Sequence, residues 1–399
     1  MKILINHPKC AQHVRNAVTA LKKHDMLHSF TTSLNIETNK FPFTILPKKI
    51  KNFLKQRNFS KITDKINSSS LFMEFLRLLA NSRNSLNYVN RLLKETDIYN
   101  AKFLNNNKDK IDAVYAYEDS ALFTFKVAKK NKIKCIYDLP ACYWKLKKKI
   151  YDKEKKNNPH LPFQDHNDPI NKLKNKDKEL QMADLIIVPS KFVKDSLKLA
   201  PIKNKKIIVI PFGAPPLIQS NKIWFNGKKK LKLLYVGGLT QGKGLSYLIQ
   251  AIKEIDKKKF CSTFIGQGPL ENYIKKELPD SNLKTNTFSH KSILNEMNNN
   301  DILIMPSLSE GFALVTLEAM SRGMVVICTN RCGLKDIGDK NDSIVITPNN
   351  YLIIKKKINF FLKNPTKVKR MGIKALKTAK KYSWSKYQDQ LAHLINKNL

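Results

Sequence analysis

Leu231-Lys232-Leu233-Leu234-Tyr235-Val236-Gly237-Gly238-Leu239-Thr240-Gln241-Gly242-Lys243-Gly244-Leu245 reads as a strand, a glycine-rich turn with one lysine, and the start of a helix. Leu231–Val236 is an apolar run of strand length. Leu245, Leu248, Ile249 and Ile252 then fall at i, i+3, i+4 and i+7, the spacing of one helix face. A strand that passes through a glycine turn into a helix is the repeating unit of parallel α/β layers. Glycines allow backbone to approach a phosphate, and Lys243 supplies a point charge. Gly237–Lys243 matches the GxxxxGK part of a Walker A loop, but Gly244 stands where that loop needs Ser or Thr to reach magnesium, so no P-loop is read. A tight β–α turn without a ligand would look the same.

The alternation extends in both directions. Upstream, Val14, Ala17, Val18 and Leu21 mark a first helix after a strand at Lys2–Asn6, and further strands are expected at Ala113–Tyr117, Ile133–Tyr137, Leu185–Pro189 and Ile207–Pro211. Phe212-Gly213-Ala214-Pro215-Pro216 and the polar stretch to Lys230 break the pattern and read as a linker. Downstream, strands are expected at Ser262–Ile265, Ile302–Met305 and Val325–Cys328. With 399 residues and roughly 150 per domain, the expected architecture is α/β, two Rossmann-like doubly wound domains facing a central cleft. Such sheets bind ligands beyond the carboxyl ends of their strands. The reading is weakest between Ile45 and Ile98. There Leu46–Arg57 carries Lys48, Lys49, Lys51, Lys55 and Arg57 without an acid, and Ile50, Phe53 and Leu54 share one face. That pattern suits either a helix lying on an anionic membrane or an ordinary surface helix of a lysine-rich chain.

The 73 basic and 32 acidic residues leave a net charge of +41, and only 8 of the basic residues are Arg. Proteins that read phosphate backbones lean on bidentate Arg. The Lys, Asn and Ile content also fits the codon bias of an AT-rich genome. Long-range attraction to anionic lipid is the functional alternative, whereas no basic motif interleaved with aromatics supports a nucleic-acid partner. The six Cys are scattered without a CxxC pair, which suits reduced thiols in a cytoplasmic chain. Apolar runs such as Leu185–Val188 are far short of the ~20 residues of a membrane span. Met1–Pro8 reads as a strand rather than a signal peptide.

The chemistry concentrates in Pro306-Ser307-Leu308-Ser309-Glu310-Gly311-Phe312-Ala313-Leu314-Val315-Thr316-Leu317-Glu318-Ala319-Met320. A strand ends at Pro306, a loop carries Glu310-Gly311, and a helix is expected from near Phe312. A helix start after a strand offers free N–H groups and a positive dipole end to a diphosphate. Glu310 would sit at the mouth of the cleft, with Glu318 about two turns on. Carboxylates accept hydrogen bonds from sugar hydroxyls, so the pair could grip both ends of a nucleotide-sugar. A capping Glu and a surface Glu would give the same letters. Phe264-Ile265-Gly266-Gln267-Gly268-Pro269-Leu270 is another strand and glycine turn, and Thr287–Ser292 is expected to end the next strand.

Together these segments resemble the GT-B retaining glycosyltransferases of family 4. Val236–Gly244 is similar to that family's VGRLxxxKG turn, Gly266–Leu270 to its GxGPL turn, and Glu310–Glu318 to its E-x7-E signature within PSxxEGFxxxxLEAMxxGxPVI. Gly323–Ile327 continues that context, with Val325 where Pro is usual. In the N-terminal half, Ala183–Ser190 is similar to ADxIIxxS and Ile210–Gly213 to IPxG. Tyr382-Ser383-Trp384 is similar to the FSW that opens the last helix. The resemblance implies an acceptor-side domain over 1–213, a nucleotide-sugar domain over 214–380, and a helix over 381–399 that returns to the first domain.

The resemblance also implies roles. Glu310 would contact the donor sugar at its reacting end, and Lys243 would neutralise charge on the leaving diphosphate. Gly237, Gly238, Gly266 and Gly311 would shape the donor site. Backbone N–H groups of Phe312, Ala313 and Leu314 would meet the sugar and diphosphate, and Glu318 would hold the ribose. His290, Lys291 and Ser292 would lie near the base through backbone. No cofactor or essential metal is implied, and no Asp-x-Asp motif is present. The partners would be a nucleotide-sugar donor and a glycan or lipid-linked acceptor, with room for a peripheral contact to an anionic membrane. Two departures stand out. Gly238 replaces the family's phosphate-binding Arg. In the first domain, Lys9-Cys10-Ala11-Gln12-His13 replaces a glycine pair, and Ile136–Pro140 lacks a usual His. His13, Glu118 and Asp138 are the acceptor-side candidates that remain. The alternative to a transferase is a GT-B protein that binds a nucleotide-sugar or glycan without turnover.

Overall fold

A computed structural model of the chain describes residues 1–9, 11–36, 54, 57–59, 62–69, 85–163, 168–217, 222–285 and 288–399. The first half runs β1 (Ile3–Asn6), α1 (Gln12–Lys23), β2 (Leu27–Thr32), β3 (Ile66–Ser68), α2 (Ser85–Asn106), β4 (Ala113–Tyr117), α3 (Leu122–Lys130), β5 (Lys134–Asp138), α4 (Trp144–Asn157), α5 (Ile170–Met182), β6 (Leu185–Val188), α6 (Lys191–Ser196) and β7 (Lys206–Val209). The second runs β8 (Leu231–Val236), α7 (Leu245–Lys253), β9 (Phe260–Ile265), α8 (Glu271–Glu277), β10 (Asn282–Lys284), α9 (His290–Asn298), β11 (Ile302–Met305), α10 (Leu314–Met320), β12 (Val325–Thr329), β13 (Ser343–Ile346), α11 (Tyr351–Lys363), α12 (Pro365–Lys381) and α13 (Trp384–Asn398).

Two parallel sheets result, ordered β3-β2-β1-β4-β5-β6-β7 and β10-β9-β8-β11-β12-β13. Their central strands are buried on both faces, which is why they read as unbroken apolar runs rather than alternating ones. Ile3, Leu4 and Ile5, and likewise Ile302 and Leu303, are fully buried. β2, β3 and β13 were not expected from the sequence, and β10 ends earlier than the strand expected there. β3 and β10 are three-residue edge strands with half-exposed side chains, so they lack an apolar run.

The halves are joined twice at one place. Ala214 pairs with Ser383, its N–H donating to the Tyr382 carbonyl at 2.7 Å and its carbonyl accepting from the Trp384 N–H at 3.2 Å. A Cβ at Gly213 would lie 2.5 Å from the Trp384 backbone, so only glycine fits the crossing. Helix α13 then lies on α1, with Gln388 Nε2 donating to Asn16 Oδ1 at 2.8 Å and Leu391 fully buried.

Two expectations need correction. Helix α10 starts at Leu314, not near Phe312, because Ala313 is still non-helical (ψ 88°). The strand expected to end within Thr287–Ser292 ends at Lys284, and His290–Ser292 form the first turn of α9 instead. In the proposed basic helix, Lys48, Lys49, Ile50, Lys51, Phe53 and Lys55 lie outside the described residues. No described helix is long and apolar enough to cross a membrane.

Candidate functional site

The site is assembled from the loops at the carboxyl ends of β8, β9 and β11. At Gly237 (φ 152°) and Gly266 (φ 153°) the backbone takes a conformation that side chains rarely adopt, and a Cβ on Gly266 would overlap the Gly237 carbonyl. The two glycine turns interlock through Leu239 N–H to Gln267 O at 2.9 Å and Leu270 N–H to Leu239 O at 3.0 Å. Gly266 therefore serves the packing of turn on turn. The β8 turn continues to the β11 loop, where the Leu308 N–H donates to the Gly242 carbonyl at 3.0 Å. That contact brings Lys243 to Glu310, and their side chains form an ion pair. Ser307 Oγ also donates to Glu310 Oε1 at 3.2 Å. Gly238 contributes no side chain, and its carbonyl accepts from Tyr235 Oη at 2.7 Å.

Gly311 marks the contact between the halves. Its carbonyl accepts from Ser190 Oγ at 2.7 Å, and any Cβ there would overlap the Pro140 carbonyl. A cavity of about 280 Å³ opens beside it, lined by Ala141, Cys142, Lys147 and Tyr151 from the first half and by Gly238, Thr240, Gly242, Lys243, Ser309, Glu310 and Gly311 from the second. A second cavity of about 320 Å³ shares Ala141, Cys142, Lys147 and Tyr151 and continues past Trp144 to Glu118, Asp168 and Lys176. Lys176 bridges Glu118 at 3.3 Å and Asp168 at 3.0 Å. Burial pushes the Glu118 carboxyl pKa up, against the pull of Lys176.

One carboxylate ties the halves together from beneath. Glu154 on α4 is 1% exposed. It accepts from Gln241 Nε2 at 2.6 Å, Tyr247 Oη at 2.9 Å and Asn349 Nδ2 at 2.5 Å, all in the second half, and from Asn158 Nδ2 at 2.8 Å. Gln241 lies two residues before Lys243, so the anchored turn is the one that carries the site's cation.

The remaining candidates divide. Glu318 on α10 accepts from or pairs with His290 Nε2 at 2.8 Å, and this bond raises the His290 pKa above its ordinary value. The His290 side chain is thus tied to Glu318. Lys291 is exposed in the same turn, and the Ser292 N–H is already donated to Ser289 Oγ at 3.1 Å. Of the three N–H groups expected to face a diphosphate, that of Ala313 is bonded to the Cys332 carbonyl at 3.0 Å. The Phe312 ring is buried against Phe212, centroids 5.7 Å apart, and Leu314 is the first residue of α10.

Neither His13 nor Asp138 lines either cavity. The His13 ring stacks on Phe212 at 5.2 Å, its Nε2 is buried without a partner, and burial lowers its pKa to about 4. Asp138 is 2% exposed, accepts from Tyr115 Oη at 2.6 Å, and is pushed by burial up to about 7. The α4 side chains at the cavity, Lys147 and Tyr151, and the anchor Glu154 escaped the sequence reading. Their signal was the spacing i, i+4, i+7 within a helix holding seven lysines, a pattern that otherwise marks a solvated face. Among the described residues no three His, Cys, Asp or Glu side chains gather to hold a metal ion.

Comparison with known proteins agrees with this geometry. Residues 219–378 match the family described as glycosyl transferases group 1. Anabaena HepE, solved with UDP and glucose, superposes with a TM-score of 0.67 at 14% identity and 99% coverage of both chains. The lipopolysaccharide outer core galactosyltransferase WaaB superposes with a TM-score of 0.67 at 15% identity and 100% coverage of both. The fold is GT-B. Among sequence relatives, an uncharacterized glycosyltransferase of Methanocaldococcus jannaschii is 32% identical over 209 residues, 51% of this chain and 57% of the relative. The amylovoran biosynthesis glycosyltransferase AmsK of Erwinia amylovora is 27% identical over 157 residues, 36% of this chain and 39% of the relative. The chain spans little more than half the length of the first relative it matches.

Proposed function

We propose that this GT-B protein is a retaining glycosyltransferase of family 4 that moves a hexose from a nucleotide-sugar to a glycan or lipid-linked acceptor in envelope or polysaccharide synthesis. The observation that carries this reading is the Lys243–Glu310 ion pair at the wall of a cavity between the carboxyl edges of two parallel sheets. The match of residues 219–378 to glycosyl transferases group 1 and the polysaccharide-synthesis relatives support it. In transfer, the bond from the anomeric carbon to the diphosphate oxygen breaks and that oxygen keeps the electron pair. The acceptor hydroxyl oxygen forms the new bond, and its proton passes to the departing diphosphate or to water. Lys243 meets the charge that builds on the leaving group, a preorganised electrostatic contribution. Glu310 holds Lys243 in place and accepts from donor-sugar hydroxyls. Glu318, steadied by His290, accepts from the ribose, and Glu118 in the adjoining cavity meets acceptor hydroxyls. No step assigned here requires a metal. The scattered cysteines support cytoplasmic work, and the +41 charge supports a peripheral contact to an anionic membrane.

Glu310→Ala is expected to abolish sugar transfer while the thermal unfolding profile is retained; unchanged turnover would refute the site. Gly238 keeps a second reading in play, binding of the nucleotide-sugar without turnover. Nucleotide binding with no product across a broad acceptor panel would favour it.

A further inference from the structure

We propose that Lys147, on helix α4 of the first half, is the second cation of the leaving-group subsite and binds the diphosphate from across the cleft. This rests on the transferase reading above. A nucleoside diphosphate departs as a multiply charged anion. The 280 Å³ cavity has two cationic side chains in its wall, Lys243 and Lys147. The charge of Lys243 is balanced by Glu310, and Gly238 adds none from the turn. Lys147 forms no ion pair among the described residues, and its amine lies 5.6 Å from the centre of the Tyr151 ring. The neighbouring carboxylates are already engaged. Glu118 pairs with Lys176 at 3.3 Å, and Asp152 with Lys148 at 2.7 Å. Lys147 is therefore the cation in this cavity that no carboxylate pairs directly, with Glu118 acting on it only at longer range.

The helix is also held so that this cation faces the turn. Positions 147, 151 and 154 share one helix face. Tyr151 Oη lies 2.8 Å from where a Cβ on Gly242 would be, so Gly242 admits the tyrosine. Glu154 grips Gln241 at 2.6 Å. Anchor, packing residue and cation thus touch the glycine turn in order along α4. The subsite is complete only while α4 sits on the turn, so binding the diphosphate draws the two halves together.

The test begins with the whole protein and five probes, UDP, GDP, ADP, CDP and dTDP, in a thermal-shift panel. The diphosphate that stabilises the wild type is then titrated calorimetrically into Lys147→Gln, Lys147→Arg and Lys149→Gln, beside the matching nucleoside monophosphate. Lys149 is exposed on the opposite face of α4 and serves as the control. Loss of one charge-assisted bond predicts diphosphate affinity about 10- to 100-fold weaker in Lys147→Gln. The monophosphate is expected to lose less, Lys147→Arg to bind within a few-fold of wild type, and Lys149→Gln to match it. Wild-type diphosphate affinity in Lys147→Gln overturns the proposal, and so does an equal loss for diphosphate and monophosphate. Absence of any shift in the wild type overturns the transferase reading itself, an outcome read before any variant is made.

Discussion

Removing the Glu154 carboxylate should loosen the junction of the two halves by an amount the structure allows to be worked out. Four donors converge on it within 2.5–2.9 Å, and three come from the second half. A hydrogen bond to a charged group contributes about 1.5–3 kcal/mol, and a buried donor left without a partner costs about 1–3 kcal/mol. The loss is not four times that. Gln241 Nε2 keeps Ser246 Oγ at 2.7 Å, and Asn158 and Asn349 keep Tyr247 Oη at 3.3 and 3.1 Å. One uncompensated donor, the Tyr247 hydroxyl, remains, so Glu154→Ala should cost about 2 kcal/mol. At about 2–4 °C per kcal/mol for a domain of 150–250 residues, unfolding should fall by roughly 4–8 °C. Glu154→Gln retains one acceptor oxygen but turns an NH₂ toward other donors, so an intermediate loss is expected. Scanning calorimetry reads both variants. The alanine trace should also broaden or divide as the halves begin to unfold separately. An alanine variant that unfolds within about 1 °C of wild type would refute the reasoning, because the network would then contribute nothing beyond what water replaces.

Two further outcomes concern titration. Asp138 is raised to about 7 by burial, so the folded state holds its proton while the unfolded chain has already released it. That contribution to stability is full below the unfolded pKa near 4 and is lost as pH rises toward 7. Asp138→Asn removes it, so in urea titrations the variant should gain about 2 kcal/mol on wild type between pH 5 and pH 7; a difference independent of pH would show the carboxyl to be ionised in the fold. For His290, Glu318→Gln removes the carboxylate charge that, through its hydrogen bond, raises the imidazole pKa. An NMR titration should find the imidazole titrating at lower pH in the variant, and an unmoved midpoint would mean that the 2.8 Å contact does not persist in solution.

Much of the framework was legible because of burial. Strands such as Ile302–Met305 and Val325–Thr329 are covered on both faces and spell themselves as apolar runs. The glycine turn after β8 declares itself because the backbone at Gly237 and Gly244 needs a positive φ. Short edge strands carry no such run, so β3 was not expected and the end of β10 was placed beyond Lys284. The start of α10 was misplaced by two residues because Phe312 and Ala313 are held by Phe212 and the Cys332 carbonyl, contacts from distant parts of the chain.

The site divides along the same line. Glu310 and Lys243 were marked by local patterns, a strand end and a glycine turn whose geometry nearby residues dictate. His13 in the first turn of α1 and Asp138 at the end of β5 were read as acceptor-side candidates, and the structure buries both. Phe212 and Tyr387 press on that region from the linker and from the last helix. Lys147, Tyr151 and Glu154 had the opposite history, since a lysine-rich helix reads as solvated until the second half is laid against it. By itself the amino-acid order determined which segments become strands, turns and helices, because those depend on φ, spacing and local burial. Which polar side chains face a common cavity was decided only by the docking of the two sheets, because that depends on contacts between residues as far apart as Glu154 and Asn349.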